Sequence, residues 1–224
     1  MTGATAILKN KVRVLTPDEY EGLLEVITKD SLKKLVRVLL LTGMRYAEVL
    51  RLKSNCQGCF QPDRKVIHFK SGKKAAVHSE RYVHLTDEGV RAVQAFLADE
   101  RADYPSTQGI TINLMRWGQL AGLEASPELE GQTYHQDKTD SKTGTVSTAG
   151  WNEGLERKNV WGLSVKSFRK SWESWLAVTY PERLELIAAS QGHLTGTALA
   201  HYLAVPFSPA EKEQIRTYTA GWME

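Results

Sequence analysis

The chain has 224 residues, 42% of them apolar and 25% charged, as in a soluble globular protein with one substantial core or two small ones. Its formal charge is only +3, too small to identify a polyanion binder by itself. No apolar run approaches the ~20 residues of a membrane span. The opening MTGATAILKNKVRV has no apolar stretch leading to a cleavage site, so a cytoplasmic protein with no membrane partner is expected.

In chain order, Thr16-Pro17-Asp18-Glu19 is a capping box with proline at the first helical position, and it starts a helix over EYEGLLEVIT. SLKKLVRVLLL reads as a buried helix stopped by Gly43. MRYAEVLRL resumes helical spacing at once, which puts Arg45 just after a tight corner between two helices. KVIHFK and RYVHLT are β-rich and flank SGKKAAVHSE, a β-hairpin with a basic tip. TDEGVRAVQAFLADERADY is amphipathic, with Val90, Val93, Phe96 and Leu97 on one face, and ITINLMRWGQLAGL is a further helix.

Residues 125–160 are polar, rich in Gly, Ser and Thr, and without period, so a long mobile surface loop is expected. Order returns at Ser164, the N-cap of VKSFRKSWESWLAV, where Phe168, Trp172, Trp175 and Leu176 form an apolar stripe. YPERLELIAASQG is another helix, capped by Gly192. Ser208-Pro209-Ala210-Glu211 opens a tail helix whose Ile215, Tyr218 and Trp222 form one stripe. That stripe needs a groove in its own chain or a neighbour's; assembly and docking on the chain's own core are both open. The expected class is mainly α with a small antiparallel β-sheet, an α+β fold.

Charge is distributed more tellingly than its total. DRKVIHFKSGKK has five basic residues against one Asp, and RKNVWGLSVKSFRKSW has five and no acid. Two such clusters suit a nucleic-acid face or two solvated faces. Cys56 and Cys59 form a lone CxxC without a second pair; two unbonded thiols in a turn are expected, zinc being the alternative.

Four stretches in order resemble the tyrosine recombinases, or phage-type integrases. LLLTGMRYAEVLRL resembles that family's first arginine box, and FKSGKKAAVHSERYVHL its β-hairpin lysine segment. LSVKSFRKSWESWL resembles the box that usually reads His-x-x-Arg, and QGHLTGTALAHYL the Gly-His box with its nucleophilic tyrosine. The resemblance covers residues 16 to about 207. It implies the recombinase catalytic-domain fold over 16–207, with 1–15 an N-terminal extension and 208–224 a helical tail.

The resemblance also implies a site. Arg45 and Arg169 would clamp the scissile phosphate, and Lys70 would protonate the leaving 5′ oxygen. His193 would bond a non-bridging oxygen. Tyr202 would attack phosphorus to give a 3′-phosphotyrosine. Lys73, Lys74, Arg81 and Lys170 would contact DNA. The partner would be a duplex recombination site, bound by a homo-oligomer, a tetramer, with no cofactor and no metal.

Two departures stand out. Lys166 occupies the place of the usual histidine and could act as general base or fixed cation; the same change points to an archaeal or viral origin, with host cytoplasm as the setting. The family's N-terminal helical DNA-binding domain is also missing from these residues, so a catalytic-domain fragment or a minimal form is expected.

The chemistry fits these residue types. Phosphoryl transfer places negative charge on equatorial oxygens, and two arginine forks meet it bidentately. A phenol of pKa ~10 needs a cationic pocket to react as phenolate. The expected function is site-specific DNA recombination. Type IB topoisomerase-like relaxation and a non-catalytic DNA-binding module remain alternatives, with Tyr180 and Tyr218 as reserve nucleophiles.

Overall fold

The computed structural model describes residues 6–54, 58–70, 80–99, 103–129, 159–192 and 205–223, with the backbone alone for Lys70. A two-stranded hairpin, β1 (Leu8–Lys9) and β2 (Val12–Arg13), precedes α1 (Pro17–Val26) and α2 (Asp30–Thr42). The corner at Gly43 leads into α3 (Tyr46–Ser54). A three-stranded antiparallel sheet follows in the order β3 (Phe60–Gln61), β4 (Val66–Lys70), β5 (Glu80–His84). Then come α4 (Asp87–Leu97), α5 (Thr107–Leu120), α6 (Val165–Thr179), α7 (Leu184–Gln191) and α8 (Pro209–Thr219). The class is the one the sequence implies.

The caps account for the boundaries. Thr16 and Ser208 each form both halves of a capping box with the glutamate three residues on. Gly43 and Gly192 end their helices in the left-handed conformation, at φ 60° and 71°. The β4–β5 register is regular from Val66 opposite His84 to Lys70 opposite Glu80. Alternation turns Arg81 and Val83 inward and leaves Glu80 and Tyr82 exposed.

The core is built around α6. Phe168, Trp172, Trp175 and Leu176 are fully buried, and α6 packs against α2, α5, α7, α8 and β2. A helix enclosed on most sides in this way must satisfy its polar groups internally. Ser171 Oγ donates to Ser167 O at 2.7 Å and accepts from Leu15 N, also at 2.7 Å. Trp175 Nε1 donates to Leu15 O at 3.0 Å.

Several sequence expectations change. The stretch taken as an extension packs in: Val14, Leu15 and Arg13 are fully buried. The helix expected to run on toward Tyr104 ends at Leu97. The expected loop is fixed at both described margins, because Ser126 N donates to Val160 O at 2.8 Å and Ser126, Leu129 and Asn159 are buried; its middle, 130–158, lies outside the described residues. The tail docks on its own chain. Ile215 and Trp222 are fully buried, Trp222 Nε1 donates to His84 O at 3.0 Å, and Tyr218 stacks edge-on with Tyr20 beside Trp175. The apolar stripe therefore already has its groove, and it offers no open face for assembly.

Candidate nucleic-acid site at the front of α6

The site begins at the Gly43 corner. A Cβ there would stand 2.8 Å from both Gln191 Oε1 and Trp172 Cδ1, so the backbone angle and the space both require glycine. The two carbonyls of the corner are held from opposite sides. Gln191 Nε2 donates to Thr42 O at 3.1 Å, and Arg169 Nη1 donates to Gly43 O at 3.2 Å. Arg45 follows two residues later. Its backbone N–H donates to Glu48 Oε2 at 2.8 Å, and its guanidinium reaches Glu48 Oε1 at 3.3 Å with 58% of the side chain exposed.

Glu48 is the buried hub. Arg81 Nη1 and Nη2 donate to its two oxygens at 3.1 and 2.8 Å, a bidentate pair inside the protein. Burial pushes the Glu48 carboxyl up, but hydrogen bonds and charge from Arg81, with Arg45 adding to both, bring it below its ordinary value. Arg81 Nε also donates to Ser190 O at 3.1 Å, and its side chain lies under Gly192, where a Cβ would come within 3.1 Å. Arg81 is thus not the surface DNA contact expected from the sequence. Its fork is turned inward with Val83, and it ties β5 to the Arg45 corner and to the end of α7.

Arg169 is also buried. Nε pairs with Glu173 at 3.0 Å, and Nη2 donates to the Gln191 carbonyl. Burial lowers its pKa, Glu173 opposing this and Arg81 and Arg45 adding to it. Lys170 Nζ donates to Lys9 O at 2.6 Å; burial, then Lys166, lowers its pKa, Glu173 opposing and Lys9 adding slightly. Lys166 is exposed at the second position of α6, where its N–H donates to the Ser164 cap at 3.3 Å.

Arg45, Lys166, Arg169 and Lys170 line a single cleft of about 380 Å³. Tyr46, Ala47, Thr107 and Val165 complete the described lining, none of it acidic. The structure therefore brings together four cations taken from two separate sequence boxes. Tyr46 was not anticipated; its hydroxyl donates to Pro105 O at 2.6 Å, and burial pushes it up to about 12. The reserve nucleophiles are engaged elsewhere: Tyr180 donates to Thr219 O at 2.9 Å, and Tyr218, bonded to Glu21, is raised by burial and by that bond.

Lys70 ends β4, in register with Glu80, at the base of the expected hairpin. Lys73, Lys74, His193, Tyr202 and Cys56 lie outside the described residues. Cys59 is half-buried beside β3 and its carbonyl accepts from His68 N at 2.7 Å. Among the described residues no group of three or more His, Cys, Asp or Glu is gathered as a metal set, and no helix is long and apolar enough to cross a membrane.

No family model matches the chain, and no curated protein matches it. Solved structures do. The XerA recombinase superposes with TM-score 0.55 at 17% identity, over 92% of this chain and 65% of that one. The fold is that of a tyrosine recombinase catalytic domain. The Tn1549 transposon integrase in complex with transposon right end DNA gives TM-score 0.54 at 15% identity, over 93% and 67%. The XerH site-specific recombinase, in a post-cleavage complex with a palindromic difH substrate, gives 0.51 at 16% identity, over 94% and 53%. The chain thus spans about half to two thirds of the length of these recombinases. In the recombinase fold described here, the cleft is lined from the starts of α3, α5 and α6, beside the Gly43 corner.

Proposed function

We propose that the chain cleaves and rejoins DNA through a covalent tyrosine intermediate, as a site-specific recombinase. The observation that carries this is the convergence of Arg45, Lys166, Arg169 and Lys170 on one cleft with no acid in its described lining. Such a cleft favours a phosphate diester over a sugar, peptide or metal-bound substrate.

In the mechanism, the scissile phosphate sits between the forks of Arg45 and Arg169, which neutralise its non-bridging oxygens as charge builds. His193 donates a further hydrogen bond. Tyr202 releases its phenolic proton to solvent and attacks phosphorus; the Tyr–O–P bond forms and the P–O5′ bond breaks. The departing electron pair on the 5′ oxygen takes a proton from Lys70. The free 5′ hydroxyl of another strand then reverses these steps. Lys166 serves as a fixed cation at the cleft mouth. The partner is duplex DNA carrying a recombination site, bound by several copies of the chain, and a tetramer would allow paired exchanges.

The test is a nicked duplex that loses its short 5′-hydroxyl strand on cleavage and so traps the adduct. Wild type should give a covalent protein–DNA band on denaturing gels. Arg45→Lys and Arg169→Lys keep charge but lose the fork, so the band should fall by at least ~100-fold, the size of effect seen when one transition-state donor is removed. Undiminished bands would remove both arginines from the mechanism. Supercoil relaxation without two-site exchange would redirect the reading to a topoisomerase-like enzyme, and DNA binding with no adduct to a non-catalytic module.

A further inference from the structure

The β1–β2 hairpin has no part in the reaction just described, yet it borders the cleft. Lys170, a cleft-lining residue, donates its ammonium to the Lys9 carbonyl at 2.6 Å. The charge of Lys9 is felt at Lys170 alongside that of Lys166. Lys9 thus extends the cationic row of the cleft, through Lys170, onto the hairpin.

The hairpin is rigidly founded. Arg13 at its base is fully buried, with Nη1 donating to Glu124 O at 2.8 Å and Nε to Glu19 Oε1 at 3.1 Å. Arg13 N donates to Gly162 O at 2.9 Å, and Val14 N to Ile7 O at 2.9 Å. A Cβ on Gly162 would meet Leu8 Cδ2 at 2.9 Å, so the strand lies tight on the loop leading to α6.

The tip is chemically odd. Asn10 and Lys11 are exposed and both have positive φ, 50° and 61°. A two-residue turn of this kind prefers glycine at its second position. Lysine there is disfavoured, because its Cβ crowds the backbone in the left-handed region. A strained lysine, held out on a braced turn two residues from Lys9, is understandable if its charge has a ligand.

We propose that the β1–β2 hairpin is a second phosphate-binding element of the cleft, with Lys9 and Lys11 holding backbone phosphates of duplex DNA next to the one seated among Arg45, Lys166 and Arg169. This rests on the DNA-binding reading above. The hairpin reads no base; it fixes the duplex against the front of α6, and Lys170 sets its distance from the cleft.

The test needs no cleavage. Binding of a short labelled duplex is followed by anisotropy across a salt series for wild type, Lys11→Gly, and Lys9→Gln with Lys11→Gly. Arg91→Ala, which removes a cation already paired with Glu88 on α4, is the control. Each lost phosphate contact should make the slope of log K against log salt shallower by about 0.9. Raising salt from ~50 to ~200 mM should then weaken Lys11→Gly about 3.5-fold less, and the double variant about 12-fold less, than wild type. Lys11→Gly should also melt higher, because glycine relieves the left-handed strain.

Slopes equal to wild type in both hairpin variants overturn the proposal while leaving the recombinase reading intact. Weaker binding with a lowered melting temperature assigns the lysines to folding and overturns it too. A wild-type chain that binds no duplex at any salt overturns both.

Discussion

The two halves of α6 are one helix under opposite demands. Its rear half is an aromatic core, where Trp172, Trp175 and Leu176 are fully buried and Thr179 bonds Thr219 of α8 at 3.0 Å. Its front half carries Lys166, Arg169 and Lys170 within two turns of the N-terminus, with no acid in the first turn. The positive end of the helix dipole disfavours a cation in the first turn, here Lys166, by about 0.3–1 kcal/mol. Arg169 is also buried. The rear is arranged as stability requires; the front runs against it. Such local conflict marks the places where structure is held for a ligand.

The comparison breaks first at the rear if it is wrong. Trp222→Ala removes a fully buried ring and its bond to His84 O, so urea unfolding should show a loss of about 3–5 kcal/mol. A tail that contributed only to assembly would leave the monomer's stability unchanged.

Next in size is Glu48, which joins the front to the sheet. Glu48→Gln leaves Arg81 buried without its counter-charge, and unfolding should show a loss of about 3 kcal/mol. Its carboxyl is lowered in the folded state, so its contribution is complete above the unfolded carboxylate value of about 4.3 and disappears as pH falls through the folded value. The gap between wild type and Glu48→Gln should therefore stay constant from about pH 7 to about 5 and close in stronger acid. A gap that widened on acidification would contradict the assigned pairing.

The smallest stability effect belongs to the front. Lys166→Ala removes an exposed cation from the positive end of α6, so thermal melting should be unchanged or stabilised by up to about 0.5 kcal/mol. DNA cleavage should nevertheless fall. A destabilised variant with full cleavage would reverse the roles given to the two halves.

Much of this was legible in the sequence because it rests on local rules. The capping boxes at Thr16 and Ser208 and the glycine stops at 43 and 192 follow from backbone hydrogen bonding alone. Arg45, Lys166, Arg169 and Lys170 stand out in their sequence boxes, and the fold gathers them. Arg81 was misplaced although strand alternation puts it on the face of Val83; a charged residue flanked by Glu80 and Tyr82 reads as surface until Glu48 is found opposite it. The β1–β2 hairpin was missed because two-residue strands have no period and Asn-Lys is a weak turn signal. The tail's stripe shows that a partner exists, and only the tertiary packing shows that it lies in the same chain.

The claim that the cleft serves covalent phosphoryl transfer is tested most directly by finding which residue carries the DNA. The trapped adduct would be digested with protease and nuclease, and the nucleotide-bearing peptide sequenced by mass spectrometry. A single modified residue is expected, Tyr202, attached through a 3′-phosphate, with no adduct from Tyr202→Phe despite normal DNA binding. A nucleotide on Tyr180, Tyr218 or Tyr46, or an adduct that survives Tyr202→Phe, would contradict it.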